Sequence, residues 1–118
     1  MRLASFIAAW RGLIILFKTQ RHARIHLLAT AAAVAVGAWL DVDRQQWCWL
    51  IVAITMVIAA EGFNTAVEKL ADRVTTEHDP LIRDAKDLAA GAVLWAALGA
   101  AIIGLIVLGP PLWARLLG

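Results

Sequence analysis

The sequence has one cysteine, no tyrosine and three prolines among 118 residues. Cys48 has no second thiol within the chain, so the fold owes nothing to an internal disulfide. Charge is scarce as well: 17% of residues are charged, and the formal net charge is +2. That surplus is too small to hold a nucleic acid. The basic residues are also not interleaved with aromatics along one exposed face, so no nucleic-acid partner is expected. What fills the sequence instead is apolar side chain, 62% of residues, with a mean hydropathy of +0.75. A soluble domain is about half apolar and a quarter charged, and a small one keeps much of its surface in water. The excess needs a second solvent, the bilayer, and most soluble enzyme folds are excluded. The length allows one domain, residues 1–118.

Three apolar stretches stand out, Leu27–Leu40, Trp47–Ala60 and Leu88–Leu108. About 20 helical residues cross the hydrocarbon core, so only the third spans unaided. The first gains length with Ile25 and His26, and the second if its helix runs on through Glu61-Gly62-Phe63-Asn64. The expected spans are therefore residues 25–40, 47–67 and 86–108. Ahead of them, about residues 1–18, Leu3, Phe6, Ile7, Trp10, Ile14 and Phe17 recur at helical spacing among Arg2, Arg11 and Lys18. This pattern suits an amphipathic helix on the membrane surface, the alternative being the start of a longer first span. Arg11 interrupts the run and no small-residue cleavage site follows, so it does not read as a cleaved signal. Asp41–Gln46 reads as a polar turn, and Asp79-Pro80 as the cap and first residue of the third spanning helix. The fold class expected is an all-α integral membrane protein, a surface helix plus three transmembrane helices.

Orientation follows from the basic residues. Nine of them (Arg2, Arg11, Lys18, Arg21, Arg24, Lys69, Arg73, Arg83, Lys86) precede span one or lie between spans two and three, against Arg44 and Arg115 elsewhere. Positive charge stays in the cytoplasm, which places the N-terminus inside and the C-terminus outside. The Ala and Gly content of the spans permits close helix packing. Three thin helices enclose a site poorly, so oligomerisation is expected. Cys48 and the six tryptophans read as packing residues or interface anchors.

The informative stretch is Glu61 to Asp72. At 100° per residue, Glu61, Glu68 and Asp72 fall at about 0°, −20° and +20°, with Asn64 and Thr65 beside them at about −60° and +40°. One narrow polar stripe runs down an otherwise apolar helix. Glu61 and Asp72 are about 16 Å apart along the axis, too far for one metal ion. That length suits an extended ligand, or one ion plus a separate base. Singly, each residue has an ordinary structural use. Glu61 can be a protonated carboxyl bonded to a neighbouring helix, Asn64 interhelical glue, and Asp72 a solvated surface group. Glu68 can pair with a nearby cation, and Lys86 and Asp87 can be first-turn helix charges. Their alignment favours function, because ionisable groups at membrane depth are expensive.

Glu61-x-x-Asn64-Thr65-Ala66-Val67-Glu68-x-x-x-Asp72, followed by Ala85-Lys86-Asp87 and Ala90-Gly91-Ala92-Val93, resembles the signature of the bacterial diacylglycerol kinase family. That family includes the undecaprenol kinases. The resemblance extends to Arg24-Ile25-His26 and Trp39-Leu40-Asp41 and covers nearly the whole chain. It implies a homotrimer of three-span subunits in the bacterial inner membrane, with active sites between subunits at the cytoplasmic interface. The reaction implied is transfer of the ATP γ-phosphate to a lipid hydroxyl, with magnesium (Mg2+). By matching position, Glu61 is the general base and Asn64 places the reacting groups beside it. Glu68 is a metal-coordinating carboxylate, Lys86 contacts phosphate, and Asp87, Asp72 and Arg24 belong to the nucleotide site. The lipid, diacylglycerol or undecaprenol, is left open, since both present a primary hydroxyl.

Nothing in the chain resembles a Walker P-loop or the soluble kinase motifs, so ATP enters only through the resemblance. A reading from another class, a small proton-coupled transporter using Glu61, fits less well. Such carriers typically have four spans and mid-membrane polar groups, whereas here the stripe continues outward to water. One position departs from the family. Gln20 stands where a glutamate commonly helps Glu68 hold metal, and His22 stands where the Arg-Ile-His branch often has Asn. Glutamine offers magnesium a neutral carbonyl oxygen without charge. Gln20→Glu is expected to lower the magnesium concentration needed for half-maximal turnover; an unchanged requirement in a metal titration would make Gln20 a neutral variation.

Overall fold

In a computed structural model, which describes residues 2–118, the chain forms four helices and, among the described residues, no strand. They are α1 (Leu3–Thr19), α2 (Arg21–Trp39), α3 (Arg44–Val74) and α4 (Pro80–Leu117). The residue expected to open the surface helix, Met1, lies outside the described residues.

A single extended residue, Gln20 (φ −106°, ψ 113°), ends α1 and begins α2. The first helix is therefore separate from the second rather than the start of a longer span. Local hydrogen bonds hold the break. The Gln20 amide donates to the Leu16 carbonyl at 2.9 Å, and Arg24 Nη1 donates to the carbonyls of Lys18 and Phe17 at 2.9 and 3.4 Å. A cation on the last carbonyls of a helix satisfies acceptors that have no partner within it.

Between α2 and α3 the chain reverses through Leu40–Asp43. Asp41 takes the left-handed conformation (φ 54°), which Asp tolerates better than most residues. Asp43 then caps α3 reciprocally: its Oδ1 accepts from the Gln46 amide and its own amide donates to Gln46 Oε1, each at 2.8 Å. The polar turn expected over Asp41–Gln46 is thus shorter, because Arg44–Gln46 already form the first turn of α3. At the other end, Asp79 Oδ1 accepts from the amides of Leu81 and Ile82 at 2.9 and 3.1 Å, and Pro80 occupies the first turn. This is the start expected from the sequence.

The last helix runs beyond the expected limit at Leu108, through Pro110 and Pro111 to Leu117. Proline lacks an amide hydrogen, so Pro111 leaves the Val107 carbonyl without its helical donor. Gln46 Nε2 approaches that carbonyl at 3.5 Å. Val107 also belongs to a small apolar cluster with Val42 and Leu50, covered by Leu40, Trp47, Ile103 and Leu108. Beyond it the Arg115 guanidinium lies 4.9 Å over the Trp39 ring, joining the ends of α4 and α2.

α3 and α4 form an antiparallel hairpin and are the two helices long and apolar enough to cross a membrane. α2 has 19 residues, but Arg21, His22, Arg24 and His26 occupy its first two turns. One inward row is Ala23, His26, Thr30, Ala33 and Gly37, spaced 3, 4, 3 and 4 apart, with Ala23 and Gly37 buried and the others half-buried, as is Val36 beside it. This is one face of a helix, and apart from His26 it is built of small residues. Close approach is tightest at Gly37, where an added Cβ would lie 2.9 Å from the Trp47 ring. Overpacking costs about 1–3 kcal/mol, more than the roughly 1 kcal/mol that Ala gains over Gly in a helix. Gly37→Ala should accordingly lower the thermal unfolding temperature in detergent; a rise would mean that Trp47 moves aside freely.

Candidate functional site

The polar stripe expected on one helix lies on α3, and burial falls steadily along it. Glu61 is 3% exposed and Thr65 6%, Asn64 and Glu68 are half-buried, and Asp72 is exposed. The helix thus carries carboxylates from the interior of the bundle to its polar end.

Each part of the stripe has a distinct partner. Glu61 Oε1 lies 3.2 Å from His26 Nε2 on α2. At that distance the imidazole is not aligned to donate, and Glu61 Oε1 is buried with no hydrogen-bond partner among the described residues. One turn on, Asn64 Nδ2 donates to Glu68 Oε1 at 3.3 Å, while Asn64 Oδ1 is buried with no partner. An orphaned amide oxygen next to a carboxylate is an arrangement of hard oxygen donors. At the polar end, Lys86 Nζ crosses from α4 to Asp72 Oδ1 at 2.6 Å. The Asp79 cap fixes where α4 begins and hence which of its turns faces Asp72. Both partners of this pair are substantially exposed, at 39% and 60%, so its worth to stability is at most about 1 kcal/mol.

Two cavities flank the stripe. One, of about 410 Å³, is lined by Asp72, Lys86 and Asp87 together with Arg83 and the α3–α4 loop. The other is an apolar groove of about 630 Å³ between α1 and α3, bounded by Gly12, Leu16, Ile58, Gly62 and Thr65, with Lys69 at one end. Asp72, Lys86 and Asp87 are therefore brought together, as are Asn64 and Glu68. Gln20 and Arg24 stand apart from them. Gln20 Nε2 donates to Thr19 Oγ1 at 3.3 Å, and the Arg24 guanidinium is engaged by the end of α1. Among the described residues, no group of three or more His, Cys, Asp or Glu is arranged to hold a metal ion.

Sequence reasoning passed over Arg83 and the α1–α3 groove, and left His26 undecided between a structural role and a ligand. The groove has no local signature, because it exists only once α1 folds back on α3. For His26 a signal was present: it is the one large polar residue on the small-residue face of α2.

An all-helical chain with two helices able to span a bilayer, and carboxylates carried into the bundle on one of them, defines a small helical membrane protein. Residues 7–108 match the family described as prokaryotic diacylglycerol kinase, and the chain belongs to it. It is 35% identical over 108 residues to the undecaprenol kinase of Bacillus subtilis, covering 92% of this chain and 88% of that protein. To the diacylglycerol kinase of Escherichia coli it is 34% identical over 100 residues, 85% and 82% of the two chains. To the diacylglycerol kinase of Synechocystis it is 39% identical over 111 residues, which are 93% of this chain and 63% of that longer protein. Membership of this family does not favour the transporter reading.

Burying a carboxylate costs free energy unless partners replace its water, and among the described residues Glu61 has His26 beside it with no hydrogen bond to Oε1. Glu61→Gln, which removes the charge and keeps the shape, should leave the unfolding temperature unchanged or higher. A clear loss of stability would mean that the carboxylate is held by more than His26.

Proposed function

We propose that this lipid kinase transfers the γ-phosphate of ATP to the primary hydroxyl of a membrane lipid, with Glu61 as general base. The observation that carries the reading is the gradient along α3, from buried Glu61 to the exposed Asp72–Lys86 pair. A lipid hydroxyl arrives from the apolar side and a nucleotide from water, so one helix can bring them together. The apolar α1–α3 groove suits an acyl or prenyl chain, since Thr65 and Gly62 on its wall adjoin Glu61. Lys86 supplies a compact positive charge for phosphate oxygens, with Asp72 and Asp87 in the same cavity.

In the reaction, the lipid oxygen forms a bond to the γ-phosphorus as the bond from that phosphorus to the β-bridging oxygen breaks. Glu61 takes the hydroxyl proton. Such transfer depends on positioning and on neutralising phosphate charge more than on covalent help. Magnesium binds one or two carboxylates together with substrate phosphates. Glu68 and the orphaned Asn64 Oδ1 offer a suitable donor set. When bound, the ion would draw off negative charge from the transferring phosphate. Gln20 lies at the α1–α2 break, and its part in holding metal rests on the resemblance alone, as does a nucleotide contact by Arg24.

The remaining features belong to the same reading. α2 completes a three-pass arrangement with the N-terminus and active site cytoplasmic and the C-terminus outside, in agreement with the distribution of basic residues. Exposed Leu88, Trp95, Leu98, Ile102 and Leu105 on α4 give the apolar surface that lipid and the neighbouring subunits of a homotrimer would cover.

The test is label transfer from γ-labelled ATP by purified protein in bicelles containing diacylglycerol or undecaprenol. Labelling of one lipid well above the other identifies the acceptor, and labelling of neither overturns the proposal. Glu61→Gln should reduce turnover at least a thousandfold while nucleotide binding persists. Glu68→Gln should raise the magnesium requirement, and an unchanged metal titration would remove Glu68 from that role.

A further inference from the structure

The strand of chemistry left unused by this reading is the contact between α2 and the buried carboxylate. Among the described residues, His26 Nε2 stands 3.2 Å from Glu61 Oε1 without a hydrogen bond to it, and the Glu61 and His26 side chains are 4% and 27% exposed. Other candidates for that oxygen are engaged or absent. On α3 itself, Asn64 Nδ2 is committed to Glu68, and Lys86 reaches Asp72 instead. α4 offers Ala97, Ala100, Ala101 and Gly104 to the cavity that His26 lines, none of which carries a polar side chain. α1 brings only Gly12, Leu13, Leu16 and similar residues to the groove beside Thr65. The cavity of about 320 Å³ beside His26 is otherwise walled by small and aliphatic side chains and Thr30.

A carboxylate on a flexible side chain has two terminal oxygens and a rotating end. In an apolar surrounding nothing selects one orientation unless a donor engages one oxygen. Imidazole does so when Nε2 carries a hydrogen turned toward that oxygen. α2 comes close to α3 at Gly37, which lies against Trp47 and Leu50, while Thr30 and Ala33 line the cavity beside His26. His26 is thus placed by backbone proximity rather than by reach.

We propose that His26 is a positioning residue of the phosphoryl-acceptor site: a small rotation of the imidazole brings its Nε2–H onto the unsatisfied Glu61 Oε1, 3.2 Å away, and aims Oε2 at the lipid hydroxyl. It acts through Glu61 and touches neither ATP nor lipid. The proposal rests on the reading of Glu61 as the base. A misplacement of reacting groups by about 1 Å costs up to roughly 100-fold in rate, which sets the size of the effect.

Steady-state kinetics on the full-length protein in lipid bicelles tests this directly. His26→Leu removes the donor while filling the space, and should lower kcat about 10- to 100-fold with both KM values within about twofold. His26→Gln, whose amide nitrogen takes the place of Nε2, should recover most of that loss. If His26→Leu does not assemble, His26→Asn keeps polarity but falls short of Glu61, and should show the same fall in kcat. Unchanged kcat in His26→Leu or its substitute overturns the proposal, as does a loss carried by KM or one that His26→Gln does not relieve. Glu61→Gln in the same assay separates the two readings. If it is inactive while His26→Leu is normal, only the positioning role fails. If Glu61→Gln turns over normally, the base assignment fails and the role of His26 goes with it.

Discussion

Placing a carboxylate inside a bundle of small helices is the constraint on which the rest of this molecule depends. A buried charge is costly when left without a partner, and Glu61 is 3% exposed with one imidazole beside it. For that imidazole to be in range, α2 must approach α3 closely. The inward face of α2 carries the small residues Ala23, Thr30, Ala33 and Gly37, and Gly37 sits where a methyl group would strike the Trp47 ring. The small side chains and the buried acid are two parts of one arrangement. Bulk on α2 would move His26 away and leave the carboxylate unaccompanied.

The α3–α4 hairpin holds the other half. At its loop end, the Asp79 cap and Pro80 determine the phase of α4, and that phase brings Lys86 to Asp72. At its far end, the missing amide of Pro111 frees the Val107 carbonyl, which Gln46 approaches from the first turn of α3. Arg115 stacked on Trp39 secures the same end to α2. A proline pair that would break an isolated helix is accommodated here by contacts from two neighbouring elements. The hairpin is tied at both ends, and the polar stripe runs along α3 between them.

Chemically, the arrangement separates what a soluble kinase gathers in one cleft. α3 passes from buried Glu61 through half-buried Asn64 and Glu68 to exposed Asp72, so one helix carries polar groups from an apolar surrounding to an exposed one. At its exposed end the stripe meets Lys86, which reaches across from α4 to Asp72. Among the described residues few side chains are buried within the chain, and none of the large ones completely. Its apolar surface faces outward, as befits a protein of the prokaryotic diacylglycerol kinase family that works in a membrane.

Much of this was written locally in the chain. Composition alone called for a bilayer, and helical periodicity alone put Glu61, Glu68 and Asp72 on one face. The Asp79-Pro80 start of α4 was equally legible, because a cap and its proline are adjacent in sequence. The continuation of α4 past Leu108 was not, since the carbonyl freed by Pro111 is approached by Gln46, 61 residues away. Nor was the pairing of His26 with Glu61, nor the groove between α1 and α3, nor the engagement of Arg24 by the end of α1. Residue type and helical phase are properties of short segments, so the sequence by itself determined which groups share a face. Which face meets which is decided by the distance between helices, and that distance exists only when α1 to α4 are packed together.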